Sequence, residues 1–134
     1  MNQEIIIIEL NKLLNKAIKN NEVPVAALIV YNNKIIAKSY NKVEKYNSVL
    51  NHAEINVIKK ANKKLNNWRL DDCELYVTLE PCEMCKSIIK KSRIKKIFYY
   101  SKQNNYKTES DPNYIYTENK LFSILLSNFF KNRR

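Results

Sequence analysis

The stretch Leu75-Tyr-Val-Thr-Leu-Glu-Pro-Cys-Glu-Met-Cys85 constrains the fold more than any other part of the chain. Leu75 to Leu79 reads as a buried strand, a short apolar run with β-favouring residues. Pro81 then suits a helix start, where a missing N–H costs nothing. From Cys82 to about Lys91 the apolar positions Met84, Ile88 and Ile89 carry a helix. Cys82 and Cys85 are three residues apart, so in the first turn both sulfurs can face one metal ion. The free N–H groups and positive dipole end there favour thiolate over thiol. Lys96 to Tyr100 follows as a strand. Two strands joined through a helix run parallel, with a right-handed crossover.

The remaining segments supply partners and covering layers. Gln3 to Lys19 has apolar positions at Ile6, Leu10, Leu13, Leu14, Ala17 and Ile18, the pattern of an amphipathic helix. Val25 to Val30 and Lys34 to Tyr40 form a hairpin through an Asn32-Asn33 turn. Residues 41 to 51 read as a polar loop. His52 opens a second helix that Ala53, Val57, Ile58 and Ala61 carry to about Lys64. Residues 101 to 113 are polar and contain Asp111-Pro112, so they read as a loop, with Tyr114 to Tyr116 as a short edge strand and Glu118 to Phe130 as a last helix. The assembly is α/β: a mixed central sheet of about five strands covered by helices on both faces. No linker or repeat divides the chain, so residues 1–134 are expected to be a single domain. The chain has no glycine. Positions needing positive φ therefore fall to Asn, and the Asn pairs at 20–21, 32–33, 66–67 and 104–105 mark breaks between elements.

The formal net charge of +11 points to a polyanionic partner, most plainly nucleic acid. Part of that excess is compositional: Lys and Asn are abundant together, as in A/T-rich coding sequence. No stretch reads as a membrane span, and Ile5 to Ile8 is bounded by Glu4 and Glu9. The start lacks the pattern of a secretory signal. Three cysteines, two in Cys-x-x-Cys, favour a metal and a reducing compartment, so a cytoplasmic location is expected.

His52, the sole histidine, lies at a helix start thirty residues before Cys82. With Cys82 and Cys85 it offers three ligands of types that zinc prefers. Three protein ligands leave a fourth position for water, the catalytic pattern. Glu54, two residues on, is placed to take that water's proton and hand it on. His52-Ala-Glu54 followed by Pro81-Cys82-x-x-Cys85 is the zinc nucleobase deaminase signature. The alternative is a structural zinc site completed by Cys73. Strand geometry opposes it, because Cys73 and Cys82 lie at opposite ends of an extended segment.

Beyond the signature, the chain resembles the bacterial tRNA-specific adenosine deaminase (TadA) family over nearly its whole length. The resemblance rests on Glu22-Val-Pro-Val25, Asn41, His52-Ala-Glu-Ile55, Leu75 to Cys82, Cys85, Ser92-Arg-Ile94, Phe129-Phe130 and Arg133-Arg134. It implies a cytidine deaminase-like three-layer α/β/α sandwich, a homodimer and one Zn2+ per subunit. It implies hydrolytic conversion of adenosine to inosine at the wobble position of a tRNA anticodon, most often an arginine tRNA reading ACG. Glu54 would be catalytic, and His52, Cys82 and Cys85 would bind the metal. Asn41, Val23, Pro24 and Ala53 would contact the base, and Phe130 and Arg133 the anticodon loop. Departures are Ala26 where the family has Gly, Tyr46 to Asn51 in place of an Asp-Pro segment, and a Gly-free loop from Ser101 to Lys107. Two other functions fit the core motif: a deaminase of free bases or nucleosides, and a non-catalytic RNA-binding protein with structural zinc.

Overall fold

The computed structural model describes residues 1–103 and 111–132. Their elements run α1 (Gln3–Lys19), β1 (Ala26–Tyr31), β2 (Lys34–Tyr40), α2 (Val43–Tyr46), α3 (Ala53–Leu65), β3 (Cys73–Val77), α4 (Glu83–Lys91), β4 (Lys96–Tyr99), β5 (Tyr114–Tyr116) and α5 (Lys120–Lys131). The sheet order is β2-β1-β3-β4-β5. β1 is antiparallel to β2 and β3, while β3–β4 and β4–β5 are parallel. The mixed five-stranded sheet and the crossover through α4 match the expectation.

Strand alternation divides the core into two layers. Ala26, Leu28, Val30 and Tyr76 point to one face, where Ile6, Leu10, Leu13 and Leu14 of α1 and Phe122 of α5 cover them. Ala27, Ile29, Leu75, Val77 and Ile97 point to the other, under α3 and α4. Tyr100 closes the first layer: its ring meets Phe122 edge-on at 5.9 Å, and its hydroxyl donates to Gln3 Oε1 at 2.8 Å. The result is a three-layer α/β/α sandwich. Among the described residues no helix is long and apolar enough to cross a membrane.

Asparagine takes over glycine's duties. Asn21, Asn32, Asn33, Asn47 and Asn66 all have positive φ, between 51° and 61°. Asn32 and Asn33 make the two-residue turn that pairs Tyr31 with Lys34, and Asn66 ends α3 in the left-handed conformation. The pair at 104–105 lies outside the described residues. Arg93, at φ 72°, turns the chain after α4, a duty that its residue type did not advertise. Ala26 is a fully buried strand residue without positive φ, so the fold does not require glycine there.

Several element ends shift by one or two residues, α5 running Lys120–Lys131 rather than Glu118 to Phe130, and two differences go further. β3 runs from Cys73 to Val77 rather than Leu75 to Leu79. Its partner β1 begins at Ala26, and the pairing ends at Ala27 with Val77. Beyond it Thr78 accepts the Ala26 N–H through its side chain at 3.1 Å, and the chain leaves the ladder. The segment read as a loop contains α2, a single turn with no buried residue and so no apolar period to betray it.

The left-handed cap is directly testable. Asn66→Ala is expected to lower stability by about 1 kcal/mol, since a Cβ without a local polar contact is penalised at positive φ. Asn66→Gly is expected to be neutral or stabilising. Urea unfolding midpoints of the two variants check this.

Candidate active site

Two helix starts meet at the end of the sheet where β3 exits. His52 is the N-cap of α3 and Cys82 the N-cap of α4. Both have extended backbone, and neither spends its side chain on capping. Both side chains are therefore free to point at a common centre. Cys85, in the first turn of α4, is fully buried beside them. His52 Nδ1 lies 3.4 Å from Cys85 Sγ and 3.8 Å from Cys82 Sγ. One ligand atom from each residue falls within 4.8 Å of the others.

These distances suit a metal. Tetrahedral zinc, with Zn–S about 2.3 Å and Zn–N about 2.0–2.1 Å, keeps its ligand atoms about 3.5–3.8 Å apart. The electrostatics agree. Burial, then the Glu54 carboxyl and Cys82, push the Cys85 thiol far above its ordinary range. A divalent cation at the centre reverses that penalty and stabilises the thiolate. Burial also lowers the His52 pKa, favouring the neutral imidazole that ligates metal. The three residues thus form a candidate metal site. Cys73 is not among them: it is buried in the core at the start of β3, and burial pushes its thiol up to about 11.

Glu54 sits in the first turn of α3, only 4% exposed, next to Cys85. Burial pushes its carboxyl up to about 7, and a neighbouring cation would draw it back down. A cavity of about 270 Å³ opens onto this group, with Val23, Asn41, Ala53 and Glu54 among its walls. Asn41 is nearly buried, and its Oδ1 accepts the Val43 N–H at 3.2 Å. Pro24 is buried but is not one of the cavity-lining residues.

A second, open groove of about 750 Å³ adjoins it, sharing Val23, Leu79 and Gln103. Phe130, 53% exposed, lines this groove with Lys102, Tyr116 and Lys131. Phe129 is half-buried and packs edge-on against Phe130 at 5.6 Å. Arg133 lies outside the described residues, as does most of the loop from Ser101 to Lys107.

Sequence reasoning assigned no role to Glu80 or Gln103. Glu80 is 1% exposed and pairs with Lys86 at 3.3 Å. Its side chain accepts the Gln103 N–H at 3.2 Å, and its carbonyl accepts Gln103 Nε2 at 3.0 Å. Gln103 is thereby pinned at the boundary of both cavities. The one available signal was an acidic residue between an apolar strand and a proline.

Comparison with known proteins agrees with this geometry. The family model for MafB19-like deaminases matches residues 1–134. The tRNA-specific adenosine deaminase of Buchnera aphidicola subsp. Schizaphis graminum is 37% identical over 129 residues, covering 87% of this chain and 85% of that protein. The enzyme of the same description from Rickettsia bellii is 51% identical over 85 residues, covering 62% of this chain. That match spans 59% of the relative's length, and the next two span 57% and 56% of theirs. A structure solved in studies of A-to-I editing by tRNA:A34 deaminases superposes with a TM-score of 0.75 at 30% identity, over 87% of this chain and all of that one. Guanine deaminase from Bacillus subtilis superposes with a TM-score of 0.68 at 36% identity, over 76% of this chain and 66% of that one. With the signature residues gathered at one cavity and near-full-length similarity to the Buchnera protein, the chain belongs to the tRNA-specific adenosine deaminase family of the cytidine deaminase superfamily.

Proposed function

We propose that this chain is a zinc-dependent hydrolase that converts adenosine to inosine at the wobble position of a tRNA anticodon. The observation that carries the reading is the meeting of His52, Cys82, Cys85 and Glu54 at one cavity, in a chain of this family. His52 Nδ1 and the two sulfurs would hold one Zn2+ per subunit. Zinc, when bound, acidifies a water and so supplies a nucleophile at neutral pH.

The protein's own groups do the rest. Glu54 accepts a proton from water and delivers protons to the purine ring nitrogen and to the departing amine. The balance is adenosine plus water giving inosine plus ammonia. Asn41 offers its amide donors to the base. Val23 and Ala53 form the walls that hold it, and the buried Pro24 follows Val23 directly in the chain. The cavity is lined by Glu54, His52 and Cys82, and a base must leave its stack to reach these groups. Phe130, with the basic residues Lys102 and Lys131 and the tail at Arg133, would hold the neighbouring nucleotides by stacking and phosphate contact. An arginine tRNA reading ACG is the substrate that the family resemblance suggests. A cytoplasmic homodimer of single-domain chains, residues 1–134, completes the reading.

The second reading is deamination of a free base. The likeness to the Bacillus guanine deaminase favours it. The two differ in what they need from the groove, which a free base would leave idle. The third, a structural zinc with Cys73 as ligand, is opposed by that residue's place at the start of β3, outside the group formed by His52, Cys82 and Cys85.

Four outcomes are expected. Dialysed protein should retain about one zinc per chain by elemental analysis; His52→Ala should retain less than half, and Cys73→Ala should match wild type. Glu54→Gln should keep its zinc and lose inosine formation by about 10²-fold or more. The substrate test is incubation with total tRNA, then sequencing to find where A reads as G. Conversion is expected at one anticodon wobble position, with no ammonia released from free guanine or cytosine. Removing residues 129–134 should lower kcat/KM on tRNA by about tenfold or more while leaving zinc content intact.

A further inference from the structure

We infer that Glu22 is a positioning residue, whose buried carboxylate holds α2 and the Asn41–Glu44 wall in the shape that receives the substrate base. The inference rests on the proposed reading of the cavity as the base pocket.

The start of the wall is fixed by two backbone bonds, Asn41 N–H to the Val25 carbonyl and Lys42 N–H to the Asn51 carbonyl, each at 2.9 Å; beyond it, packing offers little. α2 is a single turn with no buried residue. One turn of helix is not stable by itself, because nucleation costs more than its few hydrogen bonds return. Its N-cap, Lys42, makes no side-chain capping bond. The orphan N–H groups are taken instead by a residue 22 positions away in sequence. Glu22 Oε1 accepts the Glu44 N–H at 2.9 Å. Glu22 Oε2 accepts the Lys45 N–H at 2.8 Å. The carboxylate thus serves as a capping acid supplied from outside the helix, with the charge that a helix start favours.

Glu22 is itself well anchored. It is 1% exposed, and its own N–H donates to the Ala17 carbonyl at the end of α1 at 2.9 Å. It leads directly into Val23, another wall of the same cavity. The tether therefore runs from the packed helix α1, through Glu22, to α2. From α2 it passes to Asn41, whose Oδ1 is fixed by the Val43 N–H. That bond orients the carboxamide and leaves its Nδ2 donors for a ligand. Val43 and Glu44 complete the wall. Glu22 touches neither the metal ligands nor Glu54 in any of these bonds.

The test has two independent arms, using full-length zinc-loaded protein with Glu22→Ala and Glu22→Gln. The first is amide hydrogen exchange followed by NMR, which needs no substrate. Exchange of the Glu44 and Lys45 amides should speed up about tenfold or more in Glu22→Ala and by less in Glu22→Gln, which keeps one acceptor oxygen. Unchanged exchange in Glu22→Ala overturns the proposal. The second arm is inosine formation on tRNA. KM should rise about tenfold in Glu22→Ala with kcat within about twofold of wild type, because the wall must then be ordered on binding. A merely destabilised protein would instead lose kcat through its inactive fraction and keep its KM, and that result overturns the positioning role. If Glu22→Ala does not fold, Glu22→Gln is read on both arms, with a KM raised above wild type as the supporting result and an unchanged KM as the overturning one. If wild type makes no inosine, the proposed function fails, and the exchange arm still decides whether Glu22 holds α2.

Discussion

The site depends on two helix N-termini being brought to the same end of one sheet. Each contributes a residue at its first, non-helical position, where the side chain can turn away from the helix axis. His52 and Cys82 occupy equivalent N-cap positions and are both free of capping duty. Two sulfurs, an imidazole and a buried carboxyl then crowd together, and burial favours the protonated thiol of Cys85. The helix dipoles help to offset this, and a bound cation offsets it far more. The sheet makes the meeting possible. β1 pairs antiparallel with β3, and β3 pairs parallel with β4, so α3 and α4 lie side by side on one face.

Most of the fold was legible because its signals are periodic. The apolar stripe from Ile6 to Ala17 gave α1 its bounds, and the Asn32-Asn33 turn gave the hairpin its register. The metal group was legible because three residue types with few other reasons to recur sit at fixed offsets. What escaped detection has no period. α2 buries nothing, so no apolar pattern marks it. The early end of β3 is set by where its partner β1 begins, and pairing partners are not written in a strand's own sequence. Glu80 and Gln103 meet across 23 residues through hydrogen bonds to backbone, and composition carries no trace of such a bond. Arg93 takes a left-handed turn that Asn fills elsewhere, so its residue type pointed away from its conformation.

The distribution of charge divides the site by task. Glu44, Glu54 and Glu80 line the small cavity, while Lys102 and Lys131 line the adjoining groove. A large positive net charge spread evenly would bind phosphates anywhere and orient none. Here basic and aromatic groups share the groove, and carboxylates share the cavity. On the proposed function, a polyanion would be drawn to the first and repelled from the second, leaving an uncharged group such as a base to enter the cavity. This segregation matters more to function than the overall figure of +11, part of which reflects composition.

The buried carboxylates show why the cavity keeps its shape despite being built from loops. An ionised group is costly to bury unless its hydrogen bonds are satisfied. Glu80 meets that condition with Lys86 and the Gln103 N–H, and Glu22 with two backbone N–H groups. In each case the satisfying donor belongs to a segment at the cavity's rim. The cost of burial therefore favours the geometry: moving either rim strips a buried carboxylate of a hydrogen-bond donor, so both rims are held by the same kind of penalty. Apolar packing could not do this work, because the segments concerned bury too little surface and must stay open to a ligand.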